Sequence, residues 1–508
     1  MKTKLFLVIA FFSMQSYAQI SKIEGINKFK LRNSGVILDK NKDADGYYFF
    51  YVVDKLKKGN SEFAIQILDK NLNEVAKKTY VENKNTFLMS SSFNNQALMF
   101  AMANFVQEKI ELLSFDKQAN QQKTVSIPLE KKEIRYLQMA MEQTSEFNVL
   151  FPVENKGFIF NKFEDNKKIG YSLKYYPTDG GKAWEYSSPD ESKEILAINP
   201  IEVNDKILVA IETSRPSLLS RKVTIRTKII DVVTGKLIFE VENTRDVKPR
   251  LINNAFVNSD GSIVLVGEYF KDGDNVFTDK SLGLYAQVLD DKGITIKESF
   301  ISWSEDVTKI VKTTKSFLDD KGYVYFHKML QTKNGEYYAI GEYFKKTVSG
   351  AGVAMKILSR GQAAATQISI GNAVIFKFDN DFKLKSIKEF DKTKSNVPCI
   401  TDFGSPQLNA HVVKAFGGFD YEYTQIDKTN DRFYACFVDY EKEKGQKSKN
   451  AFKTIIYDDG ELSQDKIYLK DGEKEFKVLP GKLGNVMLVE YNKKEKSINI
   501  HLEKINIK

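Results

Sequence analysis

Cysteine is scarce in this chain of 508 residues, which contains only Cys399 and Cys436. Two cysteines cannot provide a disulfide framework for a chain of this length. Cys436 lies in the apolar run RFYACFV, where a buried free thiol is the expected state. A single bridge between the two remains the alternative, because the N-terminal segment predicts export.

Histidine is also scarce, and the three histidines are His327, His411 and His501. None has the sequence spacing of a metal-ligand set or of a catalytic triad. The phrase NKDADG at residues 41–46 resembles the start of a calcium loop, but Val52 occupies the position of the bidentate glutamate. We therefore expect no metal and no cofactor, and a non-enzymatic role is favoured.

Long hydrophobic runs are absent beyond the N-terminus, where Lys2 and Lys4 precede an apolar stretch and Ala18 ends a small-residue cleavage site. This pattern predicts a signal peptide over residues 1–18. No later segment has the roughly 18 to 20 apolar residues of a membrane-spanning helix. We expect an exported chain, periplasmic or extracellular, whose formal charge falls from +9 to +7 when the two lysines are removed.

Aromatic residues are abundant: 24 Tyr and 36 Phe against 10 Pro exclude a disordered chain. The segment at residues 261–300 contains three strand-like runs, SIVLVGEYF, LYAQVLD and ITIKESF. Its letters GEYFK at residues 267–271 recur at residues 341–345. This recurrence identifies the segment as a repeat unit.

Further copies of this unit extend along the chain, each with an apolar second strand and an alternating, lysine-bearing fourth strand. The second strands are YYFFYVV, ALMFAMA, NVLFPV, KILVAI, SIVLVGEYF, EYYAIGEYF, RFYACFV and NVMLVEY, beginning at residues 47, 97, 148, 206, 262, 336, 432 and 485. Strands that are apolar on both faces must be covered on both faces. The sequence therefore predicts one all-β domain over residues 19–508, a β-propeller of eight four-stranded blades, with seven blades as the alternative.

The last unit lacks a fourth strand after its third strand, INIHLEKI. Residues 21–31, SKIEGINKFKL, form a strand-like segment that has no partner before the first blade begins. Pairing this segment with residues 497–504 would close the ring and remove both free edges. We predict this closure.

Strand direction assigns the loops to two faces of the propeller. One face carries short turns rich in Asn, Asp and Gly, which suit tight turns. Six aspartates at the ends of third strands are expected to start such turns: Asp69, Asp116, Asp231, Asp290, Asp379 and Asp458. The opposite face, here the long-loop face, receives the second-to-third and fourth-to-first connections, and ligand binding is expected there.

The longest insertions on the long-loop face are predicted at about residues 302–321, 345–370 and 391–427. Ser302 to Glu305 forms a capping box followed by a helical stripe, so one short helix is predicted in the first insertion. Residues 345–370 contain many small residues and no acid. They are interpreted either as a flexible cover of the central channel or as a plain loop.

The long-loop face offers two kinds of candidate site. Basic residues gather in the loops of blades four, six and seven, which predicts a positive arc that binds an anionic partner: Arg215, Arg221, Lys222, Lys346, Lys356, Arg360, Lys444 and Lys447. The alternative is a polysaccharide-active enzyme that uses a pair of acids from Asp272, Asp274, Asp279, Glu305 and Asp306.

An envelope polyanion, a glycan or a protein is the expected partner of a monomeric chain. Nucleic acid is disfavoured, because no series of base-stacking aromatic residues interleaves the basic residues.

The GEYF phrases, the run GNAVIFKFDNDFKL from residue 371 and the signal ending YAQ resemble a family of secreted Bacteroidota proteins of unknown function. The resemblance covers most of the mature chain. It implies export and a common fold, and it supplies no catalytic or ligand residues.

Overall fold

The computed structural model describes residues 19–39, 41–143, 148–165, 169–217, 220, 222–244, 247–258, 260–359, 363–441, 449–468 and 475–506. The chain forms a ring of eight antiparallel sheets, the blades of a β-propeller. The eight-bladed prediction is therefore confirmed. The predicted signal peptide lies outside the described residues.

The first strand, β1 (Gln19–Ile23), belongs to blade 8, and the chain then builds the blades in order. Blades 1 and 2 comprise β2 (Ser34–Leu38), β3 (Ala44–Lys55), β4 (Asn60–Asp69), β5 (Glu74–Asn83), β6 (Thr86–Phe93), β7 (Leu98–Asn104), β8 (Lys109–Phe115) and β9 (Gln121–Pro128). Blades 3 and 4 comprise β10 (Leu150–Val153), β11 (Gly157–Asp165), β12 (Ile169–Pro177), β13 (Trp184–Ser187), β14 (Ile195–Val203), β15 (Ile207–Arg215), β16 (Thr224–Asp231) and β17 (Leu237–Glu242).

The second half of the ring has the same organisation. Blades 5 and 6 comprise β18 (Arg250–Val257), β19 (Ile263–Tyr269), β20 (Gly283–Leu289), β21 (Thr295–Ser302), β22 (Tyr323–Gln331), β23 (Tyr337–Val348), β24 (Thr366–Phe378), β25 (Leu384–Phe390) and an additional strand β26 (Ser395–Pro398). Blades 7 and 8 comprise β27 (Tyr421–Asp427), β28 (Arg432–Glu441), β29 (Lys449–Asp458), β30 (Glu461–Tyr468), β31 (Glu475–Pro480), β32 (Asn485–Asn492) and β33 (Ser497–Lys504).

The core lies between the blades. Val264 and Val266 of β19 pack towards blade 6, whereas Ile263 and Leu265 pack towards blade 4. The fourth strands are the outermost and alternate between exposed and partly buried residues. The apolar second strands and the lysine-bearing fourth strands thus occupy the predicted inner and outer positions.

The N-terminal strand closes the ring as predicted. β1 pairs antiparallel with β33, with Gln19 opposite Leu502 and Ile23 opposite Ile498. The pairing is shorter than residues 21–31, because the chain then crosses to blade 1, where Lys28 forms a β-bridge with Val52. The N-terminal segment therefore connects blade 8 to blade 1.

The sequence interpretation of blade 3 is wrong by one strand. The run NVLFPV contains the first strand, β10, and the second strand is β11. An apolar run alone does not distinguish the first strand of a blade from the second. Helix α1 (Lys131–Gln143), which was not predicted, fills the connection from blade 2. Leu137 and Met141 of α1 pack into the core between blades 2 and 3.

The long insertions contain several helices, so the sequence analysis, which predicted one short helix, underestimated their number. Ser302 caps a π-helical turn over Trp303–Val307 by accepting from the Glu305 N–H at 3.3 Å, as predicted. The turn leads into α2 (Thr308–Ile310) and α3 (Phe317–Asp320). The fourth-to-first connection after blade 6 contains α5 (Pro406–Ala415).

Residues 345–370 have regular structure over most of their described length, so they are not a plain loop. β23 continues to Val348 and β24 begins at Thr366, so the two strands project as an arm. Helix α4 (Gly350–Leu358) lies at the tip of the arm. The small residues permit close packing there, since the Cα of Gly352 lies beside the carbonyls of Ala364 and Ala365.

Two further expectations from the sequence concern cysteine and membrane spans. Cys399 and Cys436 are both buried and unbridged, so the alternative of a disulfide is wrong.

Within the part of the chain that the structure describes, no helix has the length and apolar character needed to cross a membrane.

Five of the six repeated aspartates accept from backbone N–H groups of the turns that follow them, whereas Asp458 pairs with Arg432 at 2.7 Å. Asp290 Oδ1 accepts from the N–H groups of Lys292 (2.9 Å) and Ile294 (2.7 Å), and Asp69 and Asp379 make the same pair of bonds. Burial opposes ionisation of Asp69, but hydrogen bonds from Asn73 and other donors outweigh it and lower the pKa of Asp69. The five carboxylates are therefore bound to the turns that they initiate.

Ring closure predicts different effects for two isoleucines of the same strand. Ile23→Ala should destabilise the protein by about 2 to 5 kcal/mol, because Ile23 is 3% exposed and packs in the core with Ile498 and Ile500. Ile20→Ala is the matched control, because Ile20 is 61% exposed. Urea unfolding measures both variants, and equal effects would contradict a structural role for the closing strand.

The turn role of Asp290 predicts that Asp290→Ala lowers the free energy of unfolding by about 1 kcal/mol. Asp290→Asn should be nearly neutral, since an amide oxygen can accept the same two bonds. Thermal unfolding with and without calcium checks both. Calcium stabilisation of the parent protein that disappears in Asp290→Asn would show that the turn interpretation is wrong.

Candidate functional site

A pocket of about 830 Å³ lies between blades 1 and 2. Its walls come from the second-to-third connections of both blades, the connection between β5 and β6, helix α1 and the N-terminal crossing segment. All these connections belong to the long-loop face. The pocket therefore lies on the face where ligand binding was expected, but in blades that sequence analysis did not select.

Backbone hydrogen bonds fix the walls of the pocket. Lys28 and Val52 exchange N–H to carbonyl bonds at 3.2 and 2.9 Å, which holds the crossing segment against β3. The N–H of Lys84 donates to the carbonyl of Gly59 at 2.9 Å and joins the β5–β6 connection to the β3–β4 turn. Gly59 has φ of +79°, a conformation that glycine adopts readily.

Four lysines line the pocket: Lys28, Lys30, Lys55 and Lys84. None of the described lining residues carries a carboxylate. Among the described residues, no carboxylate lies within ion-pair distance of Lys28, Lys55 or Lys84. The pocket is therefore positive, and its concave shape concentrates that potential.

The floor of the pocket is apolar. Phe50, Phe63 and Leu88 are buried in the core between blades 1 and 2. The half-buried rings of Phe87 and Phe105 meet edge to face with centroids 4.9 Å apart. The arrangement can hold an uncharged ligand portion below and an anionic portion at the lysines.

The predicted basic arc is only partly available for binding. Lys346 donates to the carbonyls of Asp402 and Gly404 at 2.8 and 2.9 Å, and burial lowers its pKa. Lys356 forms a 2.6 Å ion pair with Asp402. These two lysines are therefore engaged in holding the arm of blade 6 against residues 402–404.

The remaining members of the arc divide into two groups. The guanidinium of Arg215 lies over the Phe277 ring, 5.8 Å from its centroid, and Lys222 is exposed in the same connection of blade 4. Four of the predicted residues lie outside the described residues: Arg221, Arg360, Lys444 and Lys447.

Most of the predicted catalytic acids accept hydrogen bonds from backbone N–H groups of their own or a neighbouring loop. Asp272 accepts from the Lys248 N–H at 2.8 Å, and Asp279 accepts from the Asn275 N–H at 2.8 Å. Asp274 accepts from the Lys271 N–H at 3.3 Å.

Asp306, near the other predicted acid Glu305, accepts from the Ser302 N–H at 2.9 Å. Four of the five acids therefore have structural partners.

Sequence analysis missed two buried glutamates, Glu268 and Glu342, which are the glutamates of the two GEYF repeats. Glu268 is 3% exposed and Glu342 is 0% exposed. A carboxylate inside an apolar strand is costly unless it is neutral or paired. A glutamate recurs at the same position of the two GEYF repeats, and this recurrence was the sequence signal that could have identified Glu268 and Glu342.

Glu268 is surrounded by neutral partners. The Ser281 hydroxyl donates to Glu268 at 3.1 Å, and Trp303 Nε1 and Gln407 Nε2 donate to that hydroxyl at 3.1 and 2.9 Å. Burial raises the pKa of Glu268 to about 8, since the hydrogen bonds from Ser281 and Gln407 offset only part of the desolvation cost. The side chain is therefore mostly protonated at neutral pH.

Glu342 has charged partners instead. Its carboxylate meets the Lys392 ammonium at 3.0 Å and His327 Nε2 at 3.0 Å. Burial opposes ionisation, but His327 and Lys392 outweigh it and lower the pKa of Glu342. Lys392 also pairs with Asp420, at the start of blade 7. This network joins blades 6 and 7.

The Glu342 network is a structural connection rather than an open site, because Glu342 and Lys392 have side chains that are 0% and 1% exposed. Within the described ranges, no cluster of three or more His, Cys, Asp or Glu residues is placed to hold a metal ion.

The chain belongs to a family of unknown function (DUF6770), whose sequence model matches residues 1–506. A comparison with curated proteins found no match.

Solved structures that resemble the chain include dipeptidyl peptidase 4 from Porphyromonas gingivalis, with 10% identity and a TM-score of 0.42 over 92% of this chain and 58% of that chain. Prolyl oligopeptidase B from Galerina marginata has 8% identity and a TM-score of 0.39 over 92% of this chain and 56% of that chain. The chain thus spans little more than half the length of these peptidases. Polysaccharide lyase Uly1 has 8% identity and a TM-score of 0.36 over 97% of this chain and 94% of that chain. Similarities this low do not indicate a shared activity.

The two buried glutamates predict opposite mutational effects. Native Glu268 keeps its proton up to about pH 8, whereas the unfolded chain loses it near the ordinary pKa of 4.5. The free energy of unfolding should therefore fall as pH rises from about 4.5 to about 8, with a slope approaching about 1.4 kcal/mol per pH unit. Glu268→Gln should remove this loss and stabilise the protein at pH 7.

Glu342→Gln is the matched comparison at the equivalent repeat position. It should destabilise the protein at pH 7, because it leaves the buried Lys392 with less compensating charge. Urea unfolding of both variants between pH 5 and 8 is the measurement. An unchanged pH profile in Glu268→Gln would contradict the neutral state of Glu268.

Proposed function

We propose that this family member is an exported, non-enzymatic binding protein of the cell envelope that takes an anionic ligand on its long-loop face. The observation that carries the proposal is the pocket between blades 1 and 2, with four lysines and no carboxylate among its described lining residues. Its volume of about 830 Å³ is within the usual range for ligand sites.

The contrast with blade 6 supports this location. Lys346 and Lys356 are bound to Asp402 and its neighbours, so an incoming anion would have to displace existing bonds. Lys28 and Lys84 have no such carboxylate partner among the described residues. Arg215 and Lys222 of blade 4 remain a second basic point on the same face, where a long polyanion could make additional contacts.

Binding of dextran sulfate, with uncharged dextran as the comparison ligand, tests the proposal. The double variant Lys28→Glu/Lys84→Glu should weaken binding by about tenfold or more, because it reverses two charges in the concave site. Affinity for the parent protein should also fall between roughly 50 and 200 mM salt. Isothermal titration calorimetry measures both effects.

The matched control is Lys78→Glu/Lys123→Glu, which makes the same change in net charge on the exposed outer strands of blades 1 and 2. Equal losses in the two double variants would show that only net charge matters and would refute a specific site. A loss confined to Arg215→Glu/Lys222→Glu would place anion binding on the predicted arc instead.

A further inference from the structure

The lining of the blade 1–2 pocket combines lysines with apolar side chains, a combination that suits a ligand with both a charged and an apolar part. The lysines come from the crossing segment and from residues 55 and 84, whereas the buried interior is formed mainly by phenylalanine, leucine and methionine side chains, together with Ser61 and Thr86. A highly hydrated polysaccharide would leave this interior unused.

The apolar side chains that line the pocket range from buried to exposed. Phe87 and Phe105 are only half buried although they pack on the core. Leu56 is 39% exposed and Val106 is 71% exposed, and both line the pocket. The pocket is thus lined by both exposed and buried apolar side chains, and an alkyl chain in contact with them would bury apolar surface, which is favourable.

Neutral hydrogen-bonding groups complete the lining. The amides of Asn33, Asn60, Asn85 and Gln138 accompany the lysines, so a carboxylate, sulfate or phosphate head group could meet both charged and neutral donors. Cationic head groups are disfavoured, because the described lining offers them no carboxylate.

We infer that the pocket binds a single-chain amphiphilic anion, with the head group at the lysines and the alkyl chain along the phenylalanine floor. This assignment rests on the proposed anion-binding function of the same site and specifies its ligand class. The shared ligand chemistry is an anionic head joined to an unbranched apolar chain.

Calorimetric titration with sodium octanoate, decanoate and dodecanoate, each below its micellar concentration, tests the inference. Affinity should rise with length by up to about fourfold for each added methylene. Sodium acetate should show no measurable binding, since it has the head group without the chain. Decyltrimethylammonium should bind more weakly than decanoate, since it has the chain with the opposite charge.

Variants separate the contributions of head and chain. Lys28→Gln/Lys84→Gln should weaken decanoate binding and make it less dependent on salt. Leu56→Ser and Phe105→Ala should reduce the gain per methylene. Val81→Ser is the matched control, because Val81 is 56% exposed on the outer strand of blade 1, away from the pocket. Thermal unfolding confirms that each variant is folded, and Leu56→Ser provides a surface change if Phe105→Ala is unstable.

The outcomes distinguish this inference from the proposed function. Dextran sulfate binding that depends on Lys28 and Lys84, combined with no effect of alkyl length, would overturn the amphiphile assignment and leave the anion-binding function standing. Equal affinity for decanoate and decyltrimethylammonium would also overturn it. Failure of both decanoate and dextran sulfate to bind would overturn both proposals.

Discussion

Burial of apolar side chains between neighbouring blades is the interaction on which the rest of the structure depends. Each second strand presents apolar residues on both of its faces, as Ile263 and Val264 show by packing towards opposite neighbours. A single blade cannot cover both of its own faces, so every blade requires one on each side. A closed ring satisfies this requirement, and β1 completes it by supplying the outer strand of blade 8.

The same burial makes ionisable groups between blades expensive. Three second strands carry a buried glutamate as their sixth residue, Glu212, Glu268 and Glu342. The two GEYF repeats accommodate theirs in different ways. Glu268 is held with neutral partners and a raised pKa, whereas Glu342 is ionised against Lys392 and His327. One sequence motif therefore has two electrostatic states, because the partners differ: Ser281 lies in the β19–β20 connection, whereas His327 lies in β22 and Lys392 follows β25.

The long-loop face is free of the packing constraint that fixes the strands, and its connections vary accordingly. In blade 6 the basic residues brace an arm by contacts with Asp402 and Gly404. In blades 1 and 2 the lysines instead surround a concave site. The position of charge in the sequence therefore did not indicate where charge was available for a ligand, since availability depends on which carboxylates and carbonyls fold nearby.

The sequence by itself determined the repeat, the eight blades, the closing strand and the aspartate turns. Each of these follows from local patterns, namely apolar runs, alternating lysines and turn residues, and each pattern acts through bonds to adjacent strands or to its own backbone. It misplaced the second strand of blade 3 by one strand, because an apolar run alone does not distinguish the first strand of a blade from the second. Tertiary structure alone decided the partners of Glu268 and Glu342, the engagement of Lys346 and Lys356, and the pocket. The pocket is built from segments as distant as residues 28–33 and 138–141, so only the closed ring brings its lysines and its apolar floor together.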